Sequence, residues 1–282
     1  MGQEYGDMLS PVKVGPITMR NRIYFAAHAA RFMPLNGGVN DQAIAYYEAR
    51  AKGGAAAIIT GCHLIGPVCT QTPNPPSYLG DERTVPDLKR CADSIHKHGA
   101  KAICQLGVIG RLGETRPFGG VTWGASPVRA DLPPMTWEIP HEMEIEEIKQ
   151  AVDEYRKAAR NVKAAGYDGI EIFGGGGLLN HQFLSPRLNV RKDEYGGSLE
   201  NRLRLQFECV DAVRDVIGND MVLGFKMSGD DFTEGGITLD EAKEIACALE
   251  ATGKVDYLTV VAGMYIIIPT HVPPMYYPLG PF

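Results

Sequence analysis

The stretch "GIEIFGGGGLLNHQFLSPRLNVRKDEYGGSLENRLRL", residues 169–205, carries one complete structural unit. It opens on an apolar run that glycines end, continues through a connection dense in Arg, Lys, Asp and Glu, and closes on a helical pattern. A short run of consecutive apolar residues is typical of a parallel strand that is covered on both faces. Strand, connection and helix in this order predict one βα unit of a parallel α/β fold.

The same unit recurs along the chain. Six apolar runs predict parallel strands at 22–27, 55–61, 101–107, 169–175, 222–228 and 257–263. Capped helical patterns separate them, at 40–54, 84–100, 144–166, 197–218 and 238–253. No G-x-G-x-x-G motif follows the first strand, which argues against an open dinucleotide-binding sheet. The longest connections all follow the carboxyl ends of strands, which favours a (β/α)8 TIM barrel with its active site at that end.

The pattern accounts for only six of the eight βα units of such a barrel. Residues 10–22 read as a β-hairpin, which we predict to plug the barrel floor. Because strand number and stagger are linked in a closed barrel, six strands of this pattern do not close one. We therefore expect residues 1–282 to form one incomplete barrel domain, a fragment or the ordered part of a longer protein.

Composition narrows the class of protein. With 44% hydrophobic residues, 22% charged residues and a net charge of −6, the chain reads as globular and not as a nucleic-acid binder. No apolar run is long enough to span a bilayer, and no secretory signal opens the sequence. Six scattered cysteines without a C-x-x-C pair predict reduced thiols, a cytoplasmic location and no bound metal.

Three segments carry a resemblance to a known family: "MRNRIYFAAHAA" (19–30), "HKHGAKAICQLGVIGR" (96–111) and "NHQFLSPRLNVRKDEYGGSLENRLR" (180–204). Together they resemble the old yellow enzyme family of FMN-dependent barrels, near its trimethylamine dehydrogenase, 2,4-dienoyl-CoA reductase and dimethylglycine demethylase branch. The resemblance runs from Met8 to the end of the chain. It implies that the loop after strand four is structural, with a buried and mutually bonded network of Arg187, Asn189, Arg191, Asp193, Glu194 and Arg202.

The resemblance also implies bound FMN with its ring over the barrel mouth. Gln105 corresponds to the family's amide partner of flavin N3 and O2, and Lys226 stands where the family has an arginine beside N1 and O2. A lysine inside an apolar strand is costly unless it meets an anion, which suits the charge of reduced flavin. The segment passing the ring edge corresponds to Ala26, Ala27, His28 and Ala29. Gly61, at the end of the second predicted strand, would let the backbone approach the ring.

The substrate positions depart from the family pattern. Ene-reductases hold the substrate oxygen with a His/His or His/Asn pair, where this chain has Phe173 and Gly176. Cys62 occupies one position of the aromatic bowl found in the amine dehydrogenases. Tyr265 is the nearest acid after strand six and could donate a proton, or it could simply pack. For His28, a chemical role and an inert stacking role both stay open.

Three functions follow as alternatives. The resemblance favours FMN-dependent hydride transfer through flavin N5 that oxidises an N-methylated amine or amino acid. The second is reduction of an activated C=C bond by NAD(P)H, and the third is a barrel that serves only as a scaffold. NAD(P)H or an electron-transferring flavoprotein would be the redox partner, and a homo-oligomer stays open. A 4Fe-4S cluster and FAD are implied only for a longer protein. Because family members hold the FMN phosphate on strands seven and eight, this chain alone is expected to bind FMN weakly or not at all.

Overall fold

The computed structural model describes residues 5–27, 39–66, 78–113, 121–130 and 138–264. Two short 3-10 helices, Glu82–Thr84 and Gly110–Leu112, accompany the main elements. In chain order these are α1 (Gly6–Leu9), β1 (Val12–Val14), β2 (Ile17–Met19), β3 (Tyr24–Phe25), α2 (Asp41–Lys52), β4 (Ala57–Leu64), α3 (Val85–His96), β5 (Lys101–Gly107), β6 (Trp123–Gly124), β7 (His141–Glu142), α4 (Ile145–Ala164), β8 (Gly169–Gly174), α5 (Leu179–Leu184), α6 (Leu199–Ile217), β9 (Val222–Asp230), α7 (Leu239–Ala251) and β10 (Tyr257–Ala262).

Six of these strands form one sheet in the order β3-β4-β5-β8-β9-β10, and every neighbouring pair is parallel. The order in space follows the order along the chain, and helices separate successive strands. This arrangement is that of a partial TIM barrel, so the predicted fold class is confirmed. All six predicted strands and all five predicted helices occur, although the first strand is only Tyr24–Phe25.

The sheet separates two apolar regions. The larger one lies outside, where side chains such as Ile58, Cys104 and Ile172 pack against the helices. The smaller one lies on the inner face and consists of Ala27, Ala57, Ile59 and Ile103. Among the helices of the described residues, none combines the length and apolar character needed to cross a lipid bilayer.

The hairpin of β1 and β2 covers the amino ends of the strands, as predicted. Met19 packs against the inner apolar cluster, together with Tyr257 at the start of β10. An apolar cavity of about 270 Å³ remains between the hairpin and the first residues of the strands, with Val12, Ile17 and Ala57 among its walls. The hairpin therefore lies at the end of the barrel opposite to the carboxyl ends of the strands.

The connection 185–198 is anchored by Arg191, whose side chain is buried. Its guanidinium donates hydrogen bonds to the carbonyl oxygens of Ala125 (2.9 Å) and Met143 (2.7 Å). It also pairs with the carboxylate of Asp193 at 2.5 Å. One arginine thus ties this connection to the segment around β6 and to the chain just before α4, because its planar donors reach several acceptors at once.

Two more members of the predicted network are buried, and they also bind mainly backbone. The amide of Asn189 donates to the carbonyls of Phe183 (2.8 Å) and Tyr195 (2.7 Å). Arg202, near the start of α6, pairs with Glu241 of α7 at 2.5 Å and donates to the carbonyl of Gly197 in the connection. These contacts close the loop onto α5 and α7.

The prediction of a single buried network with mutual bonds is wrong for Arg187 and Glu194, because both side chains are exposed. Arg187 donates to the carbonyl of Glu234 at 2.8 Å, and the backbone oxygen of Glu194 accepts from Arg204. A loop has many backbone carbonyls without a secondary-structure partner, and the arginine side chains here donate to such carbonyls.

Asp168, just before β8, holds the amino ends of two strands together. Its carboxylate accepts from Lys101 (2.9 Å), from the ring of His96 (2.6 Å) and from the backbone N–H of Ala102 (2.9 Å). Burial raises the pKa of Asp168, but these three bonds outweigh it and leave the pKa below its usual value. His98 pairs instead with Glu48 (3.0 Å), so the two histidines of "HKH" serve separate carboxylates.

We expect Asp168→Asn to lower the free energy of unfolding by about 2 kcal/mol near pH 7, since hydrogen bonds to a charged group are lost. Because the pKa of Asp168 is lower in the folded than in the unfolded protein, its carboxylate stabilises the fold at pH values above the unfolded-state pKa. This contribution is lost as the pH falls through the folded-state pKa. The difference between wild type and variant should therefore vanish in acid, below the ordinary aspartate pKa. Urea unfolding at several pH values measures it, with the surface variant Asp153→Asn as control. A difference that persists at pH 2 would contradict this account.

Candidate active site

A cluster of polar side chains lies inside the barrel, above the inner apolar cluster. Gln105 of β5, Glu171 of β8, Lys226 of β9 and Thr259 of β10 are all buried, with at most 7% exposure. The Gln105 amide nitrogen donates to Glu171 Oε1 at 2.6 Å, and the Thr259 hydroxyl donates to Glu171 Oε2 at 2.7 Å. Both oxygens of one buried carboxylate are therefore bonded, one to the neighbouring strand β5 and the other across β9 to β10.

Sheet register brings these residues together. Gln105 lies opposite Glu171 between β5 and β8, and Lys226 lies opposite Phe173 on one side and Thr259 on the other. Residues that are partners in register share a face of a sheet, so all five side chains point inward. Sequence reasoning missed Glu171 and Thr259. The available signal was a charged residue inside the otherwise apolar run "GIEIF".

Lys226 has more donors than partners. Within the part of the chain that the structure describes, its ammonium donates one hydrogen bond, to the Ala27 carbonyl at 3.4 Å, and lies 5.0 Å from the centre of the Phe173 ring. Among the described residues no carboxylate lies within 4 Å of it. Burial lowers the pKa of Lys226, while the charge of Glu171 raises it. An ammonium has three N–H donors, so this buried cation retains the capacity to bind an anionic or carbonyl ligand.

Glu171 supplies the compensating charge. Burial raises the pKa of this carboxyl group, and the bonds from Thr259 and Gln105 together with the charge of Lys226 act in the opposite direction. An isolated ion in an apolar interior is unstable, so the two charges depend on each other. The interior thus combines one bonded anion with one cation whose donors are available.

The carboxyl half of β4 contributes a kink next to this cluster. Gly61 has φ +103°, a conformation that side-chain-bearing residues rarely adopt, and the space beside its Cα is filled by the ring of His63. The register between β4 and β5 shifts at this point. Gly61 is therefore needed for the kink itself, and its predicted approach to a flavin ring stays a prediction.

Cys62 follows in the kink and packs against Gly107, where any side chain would overlap its sulfur. Burial raises the pKa of the Cys62 thiol to about 12, although the nearby charge of Lys226 lowers it. At neutral pH this group is a neutral thiol. It can shape a binding site, but it is not an activated nucleophile.

The carboxyl end of β8 lacks the donors that ene-reductases use. Phe173 is 3% exposed and presents only its ring. Gly176 has φ +66° and forms a parallel bridge with Met264. Of the ring-edge positions, Ala27 is buried and Ala26 is exposed. The positions His28, Ala29 and Tyr265 lie outside the described residues, so their predicted roles stay predictions.

A second buried polar group, at α5, has the composition of a hydrolytic triad but not its geometry. Asp231 accepts from the ring of His181 at 2.8 Å and from the Ser185 hydroxyl at 3.3 Å. The hydroxyl thus bonds the carboxylate and not the imidazole, which is the wrong order for activating a nucleophile. This group connects α5 to the end of β9. Within the described ranges, no set of three His, Cys, Asp or Glu side chains is placed to hold a metal ion.

Known proteins match this chain over nearly its whole length. The chain is 35% identical to N,N-dimethylglycine/sarcosine dehydrogenase of Chromohalobacter salexigens, covering 98% of the chain and 40% of that protein. It is 32% identical to the multifunctional alkene reductase/demethylase OYE of Caballeronia cordobensis, over 91% of the chain and 37% of that protein. A solved 2-naphthoyl-CoA reductase complex superimposes with a TM-score of 0.87 at 30% identity, over 93% of the chain and 41% of that protein.

The chain thus spans about two fifths of the length of these relatives. The family model described as the NADH:flavin oxidoreductase / NADH oxidase family matches residues 7–274. That match includes the hairpin, all six strands of the main sheet and the polar cluster inside it. The chain belongs to the NADH:flavin oxidoreductase / NADH oxidase family.

Proposed function

We propose that this chain is the FMN-binding barrel of an oxidoreductase that moves a hydride between a small substrate and the flavin. The observation that carries the proposal is the buried ammonium of Lys226, which makes one 3.4 Å hydrogen bond and retains donors on the inner face of the barrel. An electron-rich ring edge is the kind of ligand that such a group requires. The donor set therefore fits a flavin.

Two side chains would hold the ring. Gln105 would bond the N3 and O2 edge through its amide, and Lys226 would stabilise the negative charge that develops at N1 and O2. When bound, FMN would supply the hydride acceptor at N5. The protein's part is to orient the ring, to keep water from it and to favour the reduced, more negative state through the fixed charge of Lys226.

For the substrate we propose an N-methylated amine or amino acid. Phe173 and Gly176 provide no hydrogen-bond donor for a substrate carbonyl, so an enone oxygen would lose its water without gaining a partner. The ring of Phe173 offers an apolar, aromatic wall instead. The ammonium of Lys226 lies 5.0 Å from that ring and would disfavour a second cation, so the neutral form of the amine is the species that fits.

Reduction of an activated C=C bond by NAD(P)H is the second candidate. It is favoured by the likeness to 2-naphthoyl-CoA reductase and by the relative whose name includes both alkene reductase and demethylase. The two candidates differ in the direction of hydride flow and in the partner, which would be an electron acceptor such as an electron-transferring flavoprotein for the first and NAD(P)H for the second. Both are compatible with a cytoplasmic protein.

A barrel without redox chemistry is the weakest candidate. Burial of a lysine side chain costs free energy, and a scaffold does not require a buried ammonium that, like that of Lys226, keeps hydrogen-bond donors for a ligand. An apolar side chain would fill the same place at lower cost.

The test uses the complete natural protein that contains this chain. We expect it to purify yellow and to release FMN on heating, identified by chromatography and mass. We expect Lys226→Met to lower the two-electron midpoint potential of the flavin by at least about 30 mV, which corresponds to tenfold in the reduction equilibrium. The variant loses a charge that stabilises the reduced ring more than the oxidised ring. Spectroelectrochemical titration measures the shift.

Lys243→Met serves as the matched control, because this lysine lies on the outer helix α7 and its side chain is 65% exposed. It should leave the potential unchanged. A colourless protein without flavin would refute the proposed function. A yellow protein in which Lys226→Met leaves the potential unchanged would remove Lys226 from the flavin site.

A further inference from the structure

The bond between Gln105 and Glu171 determines which end of the Gln105 amide a ligand meets. An ionised carboxylate only accepts hydrogen bonds, so the amide group that faces Glu171 at 2.6 Å must be the nitrogen. The amide oxygen then points away from Glu171. No described residue donates a hydrogen bond to that oxygen. A ligand that approaches Gln105 therefore meets an acceptor.

The carboxylate is itself held in place. Thr259 donates to its other oxygen at 2.7 Å, and Glu171 has no exposed surface. Burial raises the pKa of Glu171 above its usual value, and the bonds from Thr259 and Gln105, together with the charge of Lys226, oppose that rise in favour of the ionised form. A protonated Glu171 could donate to Gln105 and allow the amide to turn over, so the ionised state is what fixes the amide's direction.

We propose that Glu171 is a positioning residue of the flavin site: it orients Gln105 so that the amide oxygen accepts a hydrogen bond from an imide N–H of the bound ring. This inference rests on the proposed function. In this proposal Glu171 does not touch the ligand. By orienting Gln105, Glu171 selects a ring edge that carries a hydrogen-bond donor opposite the Gln105 amide oxygen, which for a flavin is N3–H.

Two ligands that differ at this atom provide the test, FMN and FMN methylated at N3. Both are titrated into the apoprotein of the complete natural protein, and flavin fluorescence reports the dissociation constants. We expect wild type to prefer FMN over N3-methyl-FMN. We expect Glu171→Gln to weaken FMN binding about tenfold and to reduce this preference by a similar factor, because a neutral amide at position 171 lets Gln105 turn over.

A double-variant comparison separates positioning from a general loss of structure. In a Gln105→Leu background, Glu171→Gln should leave the remaining preference between the two ligands unchanged, because the residue through which it acts is gone. Thr259→Val removes only the second bond to the carboxylate and should reduce the preference less, by a few-fold. Glu208→Gln is the matched control, since Glu208 bonds Tyr195 on the outside of the barrel at 3.0 Å. It should behave as wild type.

The outcomes are distinct. If wild type binds FMN and Glu171→Gln keeps the full preference for FMN, the positioning role is refuted and the flavin site stands. If Glu171→Gln reduces the preference for FMN over N3-methyl-FMN equally in the wild-type and the Gln105→Leu backgrounds, its effect is structural and the proposal also fails. If Glu171→Gln does not fold, Thr259→Val decides, and an unchanged preference there counts against the proposal. If wild type binds neither ligand, the proposed function itself falls.

Discussion

Replacement of Arg191 by methionine is expected to lower the free energy of unfolding by about 3 kcal/mol. Two buried carbonyls, those of Ala125 and Met143, would lose the hydrogen bonds that Arg191 donates, and Asp193 would keep its charge without this ion-pair partner. Methionine matches much of the aliphatic volume, so the loss is mainly one of hydrogen bonds and charge. Chemical unfolding of the complete protein, followed by far-UV circular dichroism, gives the change in midpoint.

Arg187 provides the comparison, because it lies on the same connection and is exposed with a single bond to the backbone. Arg187→Met should change the free energy of unfolding by no more than about 0.5 kcal/mol. Equal effects of the two substitutions would show that the connection contributes through its length or its glycines and not through the buried guanidinium.

The second large effect concerns substrate choice. We expect the complete protein to be reduced anaerobically by an N-methyl amine or a betaine-derived amino acid, and to be reoxidised poorly by cyclohexenone-type enones. An enone oxygen between Phe173 and Gly176 would lack a donor, and a carbonyl left unpaired in a dry site costs about 1–3 kcal/mol, or roughly ten- to a hundredfold in rate. Stopped-flow absorbance at the flavin band measures both half-reactions.

Restoring the missing donors should reverse the preference. The double variant Phe173→His, Gly176→Asn places two donors at the carboxyl end of β8, and asparagine is among the residues that tolerate the φ of +66° found at Gly176. We expect faster reoxidation by enones and slower reduction by amines. Phe173→Leu is the control that removes the ring without adding a donor.

The opposite pattern would decide for the second candidate. Rapid reduction of wild type by NAD(P)H, fast reoxidation by an enone or an enoyl-CoA, and no reduction by any methylated amine in a broad panel would establish C=C reduction. In that case the substrate oxygen must find its donor elsewhere in the complete protein.

Local signals predicted most of the fold. The run 101–107 matches β5 to the residue, and Asn40 caps α2 as its position suggested, by accepting from the Ala43 N–H at 2.8 Å. The first strand, Tyr24–Phe25, is shorter than predicted; among the described residues it lies at the edge of the sheet and pairs with β4 alone. The two-residue strands β6 and β7 were not predicted, since so short an element has no periodicity to detect.

The site was harder to predict because its contacts are distant in sequence. Gln105 and Lys226 were identified through family resemblance, and both lie on the inner face. The bond from Gln105 to Glu171 joins positions 66 residues apart, and nothing local to either position reveals it. Likewise, the charge-rich connection suggested mutual ion pairs, whereas its buried arginine and asparagine mostly found backbone carbonyls.

The agreement between strand order in space and strand order along the chain bears on how the protein is made. A ribosome delivers the strands in the sequence in which they pair, so each can add to an edge that already exists. Among the strands of the main sheet, the longest stretch of chain between two paired strands separates β5, which ends at Gly107, from β8, which begins at Gly169. At roughly 5–20 residues per second that segment takes several seconds to synthesise. During that interval the edge of β5 is where a nascent chain is most open to pairing with another molecule, and where a holding chaperone would protect it most.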